Sequence, residues 1–98
     1  MNQQDSHPTP TLFTKSLGLD YPCTLEDTLV PHEMEATLQF GTRTVYVLAP
    51  ITKVDISRST IHLRAIGTVG TSFLVSLPGE VANGTSTITV PSDLIKIE

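Results

Sequence analysis

The stretch Glu33–Pro50, EMEATLQFGTRTVYVLAP, changes sides at every residue. Met34, Ala36, Leu38 and Phe40 fall on one face of an extended chain, and Glu33, Glu35, Thr37 and Gln39 fall on the other. That is the period of a half-buried strand and not of a helix. Gly41-Thr42 supplies a turn, after which RTVYVLA resumes as a β-branched run. Pro50 has no N–H to give to a ladder and so marks an edge, a bulge or a bend before ITKVDI.

Working outward, the rhythm continues. TIHLRAI, from Thr60, points Ile61, Leu63 and Ala65 inward and His62 and Arg64 outward. The glycines of Gly67–Ser72 suggest the next connection, and FLVSL then sets Phe73, Val75 and Leu77 on one side. Pro78-Gly79 and Asn83-Gly84 punctuate the return, and STITV and LIKIE close the chain, with Pro91-Ser92-Asp93 suited to a single helical turn. Some six short strands without a long helix predict an all-β fold, a small antiparallel six-stranded β-barrel. Closure would bury the inward set and remove the exposed edges that an open sheet leaves.

The first 22 residues read differently. They mix Pro, Ser, Thr, Gln and Asn without an apolar period, which predicts a mobile, acidic and polar N-terminal arm over 1–22 ahead of a single barrel domain over 23–98. Leu12, Phe13, Leu17, Leu19 and Tyr21 are apolar enough to lay that arm over the barrel or over a partner. CTLEDTLVP offers Thr24 as an N-cap with Glu26 and Asp27 in the first turn, but Pro31 stops anything longer than about two turns, so one short helix is the most this segment can hold.

Composition limits the classes of function. The chain has 98 residues, enough for one domain with one core, and with three Phe, two Tyr and no Trp that core must be aliphatic. The net charge of −4 is unevenly spread: six acids and one base lie up to Glu35, and four acids and five bases lie beyond it. Neither part is the basic surface that nucleic acid demands. The apolar runs are far shorter than the roughly 20 residues that span a bilayer. A lone Cys23 and no secretory leader pattern point to a reducing, cytoplasmic setting, in which Asn83-Gly84-Thr85 is read as a turn and not as a glycosylation site.

Enzyme readings find little support. Cys23 sits among Asp20, Glu26 and Asp27, which disfavour a thiolate. His7, His32 and His62 lack metal-ligand spacing, and HEMEA lacks the second histidine of a zinc-protease helix. Glu33 and Glu35 share a face but read as a solvated stripe, and no Gly-rich phosphate loop is present. No catalytic residue, metal or cofactor is expected.

One bend gathers more chemistry. In VDISRST, Asp55 and Ser57 can hydrogen-bond neighbouring backbone N–H groups and fix the turn. The same bend brings Arg58, with Arg64 and Arg43 as further candidates and Lys53 nearby, into a constellation that could hold an anion bidentately.

KVDISRSTIHLRAIGTVGTSFLVSLPGE, from Lys53 to Glu80, resembles the central part of a PilZ domain. Asp55 and Ser57 match the first two positions of that family's Asp-x-Ser-x-x-Gly turn, and Val69-Gly70-Thr71 and Leu77-Pro78-Gly79 echo its later turns. In that family the turn acts with an upstream Arg-x-x-x-Arg pair to bind cyclic di-GMP. Here no arginine precedes Arg43, and Thr60 stands where the motif has its glycine. The resemblance therefore implies a degenerate member that contacts proteins.

The function expected is a non-catalytic interaction or adaptor module that binds a protein, with an arm that either covers the barrel itself, the favoured alternative, or orders on the partner. The alternatives are a cyclic-dinucleotide receptor using Arg43, Asp55, Ser57, Arg58 and Arg64, and an SH3-like accessory subunit of a larger complex. Tyr46, Leu48 and Leu74, outward by the alternation, are surface that favours association, including self-association.

Overall fold

A strand with one apolar face is stable only when that face is covered, and in this chain the cover is a second sheet. The computed structural model describes residues 9–81 and 86–95. It contains strands β1 (Thr11–Pro22), β2 (Thr24–Asp27), β3 (Glu33–Phe40), β4 (Arg43–Pro50), β5 (Val54–Asp55), β6 (Thr60–Val69), β7 (Ser72–Ser76), β8 (Glu80–Val81) and β9 (Thr87–Pro91). Short 3-10 turns lie at Ile51–Lys53 and Ser92–Leu94, and there is no α-helix among the described residues. Every pairing is antiparallel. One sheet runs β1-β6-β7-β9 with β5 beside the start of β6, and the other runs β2-β3-β4-β8.

The all-β class agrees with the period-two reading, but the closed six-stranded barrel does not form. The ladder on β6 holds β1 as far as Pro22, and from Thr24 the same chain pairs with β3. Cys23 is the crossing point, its N–H donating to Ser59 O at 2.9 Å. A second crossing runs from β7 through Leu77–Gly79 to β8. The two ladders are thus joined by the covalent chain and not by continuous hydrogen bonding, and their inner faces meet as layers.

Three local expectations are also corrected. Thr11–Pro22, assigned to the mobile arm, is a 12-residue strand along β6. Its pairing jumps between Leu12↔Gly67 and Leu17↔Ala65, so Phe13–Ser16 stand opposite the single residue Ile66. That bulge erases the alternation that would have marked the strand. The helix expected at Thr24 is instead β2, because pairing with β3 supplies the hydrogen bonds a short helix would have had to make alone. The connection expected over Gly67–Ser72 shrinks to Gly70-Thr71, with Gly67 inside β6. The Asn83-Gly84 turn, His7 and the final residues of LIKIE lie outside the described residues.

The core takes in most of the residues that the alternation turns inward, with Phe73 only partly buried, and adds Leu19, Val45, Val47, Ala49, Ile88 and Val90. Ala36, Leu38, Phe40, Val45, Val47 and Ala49 from one sheet face Leu19, Ile61, Leu63, Ala65, Val75, Leu77, Ile88 and Val90 from the other. Leu38, Ile61, Leu63, Val47, Val75 and Val90 are the largest side chains buried outright, each contributing about 1.5 to 3 kcal/mol. No polar or charged residue is buried among those described. Two half-buried aromatic contacts bracket the layers: Phe13 meets Phe73 edge-on, and Tyr21 lies against Phe40 with ring centroids 4.6 Å apart. The Tyr21 hydroxyl donates to Gln39 O at 2.8 Å, tying the first sheet to the second.

The two tight hairpins use the same chemistry. Gly41 (φ +64°) and Gly70 (φ +60°) each occupy the first central position of a Gly-Thr loop, where a positive φ matches the strand twist. Gly79 is needed for a different reason, since a Cβ there would stand 1.9 Å from Leu48 O. Gly79→Ala is therefore expected to cost about 3 kcal/mol or to abolish folding, against about 1 kcal/mol for Gly70→Ala, which meets only backbone strain. Urea midpoints of the two variants check this, and equal costs would show that the chain at Gly79 moves freely off β4.

Candidate functional site

The Asp55 bend is built by its own side chains. β5 ends at Asp55 and β6 begins at Thr60, leaving a turn in which Ser59 N–H reaches Ile56 O. Ser57 Oγ donates to Asp55 Oδ1 at 2.7 Å, and the Arg58 N–H donates to the same oxygen at 3.2 Å. Arg58 Nε stands 3.8 Å from Asp55 Oδ2. The Ser57 hydrogen bond first, then the Arg58 N–H and the guanidinium charge, hold the Asp55 carboxyl below the usual carboxylate range. The positive φ of the turn falls on Ser59 (φ +54°), one residue before Thr60, so Thr60 enters β6 as ordinary strand.

The other candidates stand elsewhere. Arg64 lies mid-strand in β6, opposite Gly18 and Ser76, and its Nε donates to Ser16 Oγ at 3.1 Å. It stands four residues into β6 from Thr60, about 13 Å of strand from the end of the turn. Arg43 opens β4 in the other sheet, opposite Phe40, and its guanidinium makes no hydrogen bond or ion pair with a described residue. Lys53 closes the 3-10 turn before β5. Of the five residues proposed as ligand contacts, Asp55, Ser57 and Arg58 touch one another, while Arg43 and Arg64 touch none of the rest.

Beside Arg64 the fold makes a pair that no local motif signals. Asp20 and His62 are register partners 42 residues apart, with His62 Nδ1 standing 3.1 Å from Asp20 Oδ1. Gly18 lets the imidazole lie across β1, since a Cβ there would meet Cε1 at 2.8 Å. No hydroxyl or thiol among the described residues hydrogen-bonds the far nitrogen, and no group of three His, Cys, Asp or Glu among them is placed to hold a metal ion.

Two concavities lie on the other sheet. The first, about 320 Å³, is bounded by Tyr21, Pro22, Cys23, Thr24, Thr37 and Gln39 at the crossing between sheets. Partial burial pushes the Cys23 thiol up. The second, about 290 Å³, is a groove along the outer face of β4, formed by Glu35, Tyr46, Val47, Leu48, Glu80 and Val81. Alternation aims Tyr46 and Leu48 outward, at 46% and 36% exposure, and Pro50 and the exposed Ile51 continue the stripe. Ile51 N–H donates to His32 O, bringing in the β2–β3 loop, whose Leu29 and Val30 are bare. That loop is stiffened from within: the Thr28 hydroxyl receives the Val30 N–H and lies within hydrogen-bonding distance of Val30 O and Glu33 O.

The comparisons add no relative: the chain matches no family model, no curated protein and no solved structure. No helix among the described residues is long and apolar enough to cross a membrane.

Two measurements check the local chemistry. In carbon-detected titration, Asp55 is expected to lose its proton below the usual carboxylate range, and Ser57→Ala to move the midpoint up. A folded value depressed in this way stabilises the fold above the ordinary carboxylate pKa, and that contribution fades as the pH drops through the folded value. An unmoved midpoint in Ser57→Ala would mean that the hydroxyl does not hold the carboxylate in solution. Cys23 is expected to react slowly with a disulfide reagent at neutral pH and to speed up above the ordinary thiol range. Fast labelling at pH 7 would contradict its burial.

Proposed function

We propose that the chain is a non-catalytic interaction module that binds protein through the outer face of the β2-β3-β4-β8 sheet. The observation that carries this reading is the set of exposed apolar residues Tyr46, Leu48, Pro50 and Ile51 along β4 and the turn after it, with exposed Leu29 and Val30 in the loop whose His32 carbonyl accepts from the Ile51 N–H. Single exposed apolar side chains are ordinary on any protein, but a connected stripe beside a groove is the usual mark of an association surface. The N-terminal segment from Thr11 is not the recruiting element in this reading, because it is a sheet strand.

A second reading rests on the hydrogen-bonded Asp55-Ser57 turn. Its likeness to the PilZ motif supports a cyclic-dinucleotide receptor, although the Asp55 carboxylate and the Ser57 proton are already used on each other. Titration with cyclic di-GMP watched by backbone amide shifts tests it, and unshifted amides around Asp55 and Arg58 at millimolar ligand dispose of it. The 3-10 turn after β9 is what supports kinship with SH3-like accessory subunits, which is a form of the first reading.

The first reading is tested by placing a photo-crosslinking residue at position 46 or at position 64 in the expressing cell. Position 46 is expected to give a discrete protein adduct and position 64, on the outer face of the other sheet, none. Equal labelling at both positions, or none at 46, would overturn it.

A further inference from the structure

The partner's chemistry can be read from what surrounds the stripe. Across the sheet the register sets Glu26, Glu35, Leu48 and Glu80 in one row, and Glu33 opposite Pro50. Leu48 therefore has a carboxylate on the neighbouring strand on each side. No described cation forms an ion pair with Glu26, Glu33, Glu35 or Glu80; among the described residues the Arg58–Asp55 pair and the His62–Asp20 contact lie elsewhere. The only base within the strands of this sheet is Arg43, at the far end of β4. An apolar floor walled by uncompensated carboxylates rejects anionic partners and favours cationic ones.

Resting on the reading of this face as a protein-binding surface, we propose that its occupant is a basic amphipathic helix laid along β4. Its apolar stripe would sit on Tyr46 and Leu48, with Lys or Arg side chains reaching down to Glu35 on one flank and Glu80 on the other. The dimensions suit this occupant. Glu35 and Glu80 stand two strand spacings apart, about 10 Å, and a helix with its side chains is about 10 to 12 Å across. Long basic side chains keep their charge at the rim while their stems cover apolar surface. A second copy of this chain fits poorly, because two-fold pairing of the face would bring carboxylates against carboxylates. An anionic membrane surface is rejected by the same charges.

The test uses the full chain and a synthetic probe, an amphipathic helix of about 18 residues with a Leu stripe flanked by Lys. Two controls accompany it: a scrambled peptide of the same composition, and one with Glu in place of Lys. The Lys helix is expected to shift the amides of Glu35, Tyr46, Leu48 and Glu80. The double variant Glu35→Gln, Glu80→Gln should weaken binding about five-fold, and so should a roughly ten-fold rise in ionic strength. Tyr46→Ser with Leu48→Ser should abolish the shifts while leaving the spectrum of the folded chain intact, since both side chains point outward. Equal binding of the Lys and Glu helices, equal binding of the scrambled peptide, or shifts confined to the other sheet would overturn the proposal. An adduct at position 46 combined with an unbound Lys helix would overturn the basic-helix chemistry and leave the interaction module standing. No adduct at 46 would remove the module itself.

Discussion

Everything in this protein rests on the contact between two inner faces, joined wherever the chain passes from one sheet to the other, most directly where β1 runs into β2. β1 and β2 are one run of backbone interrupted at Cys23, so the first sheet cannot slide over the second without breaking the ladder on β6 or the ladder on β3. Tyr21 stands beside that crossing and adds a ring contact to Phe40 and a hydrogen bond to Gln39 O. Because the layers are aliphatic and contain no buried polar group among the described residues, cohesion comes from area and close packing alone. Directional bonds are spent at the margins, where the layers join.

This division of labour shapes the two outer faces. On the outer face of the first sheet polar side chains meet across strands, His62 with Asp20 and Arg64 with Ser16. The Asp55 turn likewise closes on Ser57 and Arg58. The outer face of the second sheet does the reverse. Its carboxylates face no described cation, and its apolar residues face no described cover. That contrast is what the proposed binding reading rests on.

How much of this was legible in the sequence depended on how far the deciding contact lay along the chain. The alternation of β3 and β4 and the Gly-Thr loop between them involve neighbours, and they read directly, as did the outward aim of Tyr46 and Leu48. The Asp55-Ser57-Arg58 turn was equally local. β1 was not legible because its bulge at Phe13–Ser16 breaks the period, and its partner β6 lies some forty residues and more away. β2 carried the signature of a helix start, Thr24 ahead of Glu26 and Asp27, and was overridden by pairing with β3. Closure into a barrel was an argument about edges, and alternation alone does not say which strands share a ladder. The carboxylate wall at Glu80 was hidden in the same way, since β8 reaches Leu48 only after the chain has crossed between sheets.

The long reach from β1 to β6 also bears on how the chain acquires its shape. β3 with β4 and β6 with β7 are hairpins whose partners meet early, but Tyr21 must find Ile61 and Thr11 must find Thr68. Contacts that span so much sequence carry a heavy loop-closure cost before they repay it, and they slow folding. On a ribosome, the first strand has nothing to zip onto until β6 has left the exit tunnel. The docking of β1 is then a late step in completing the first sheet.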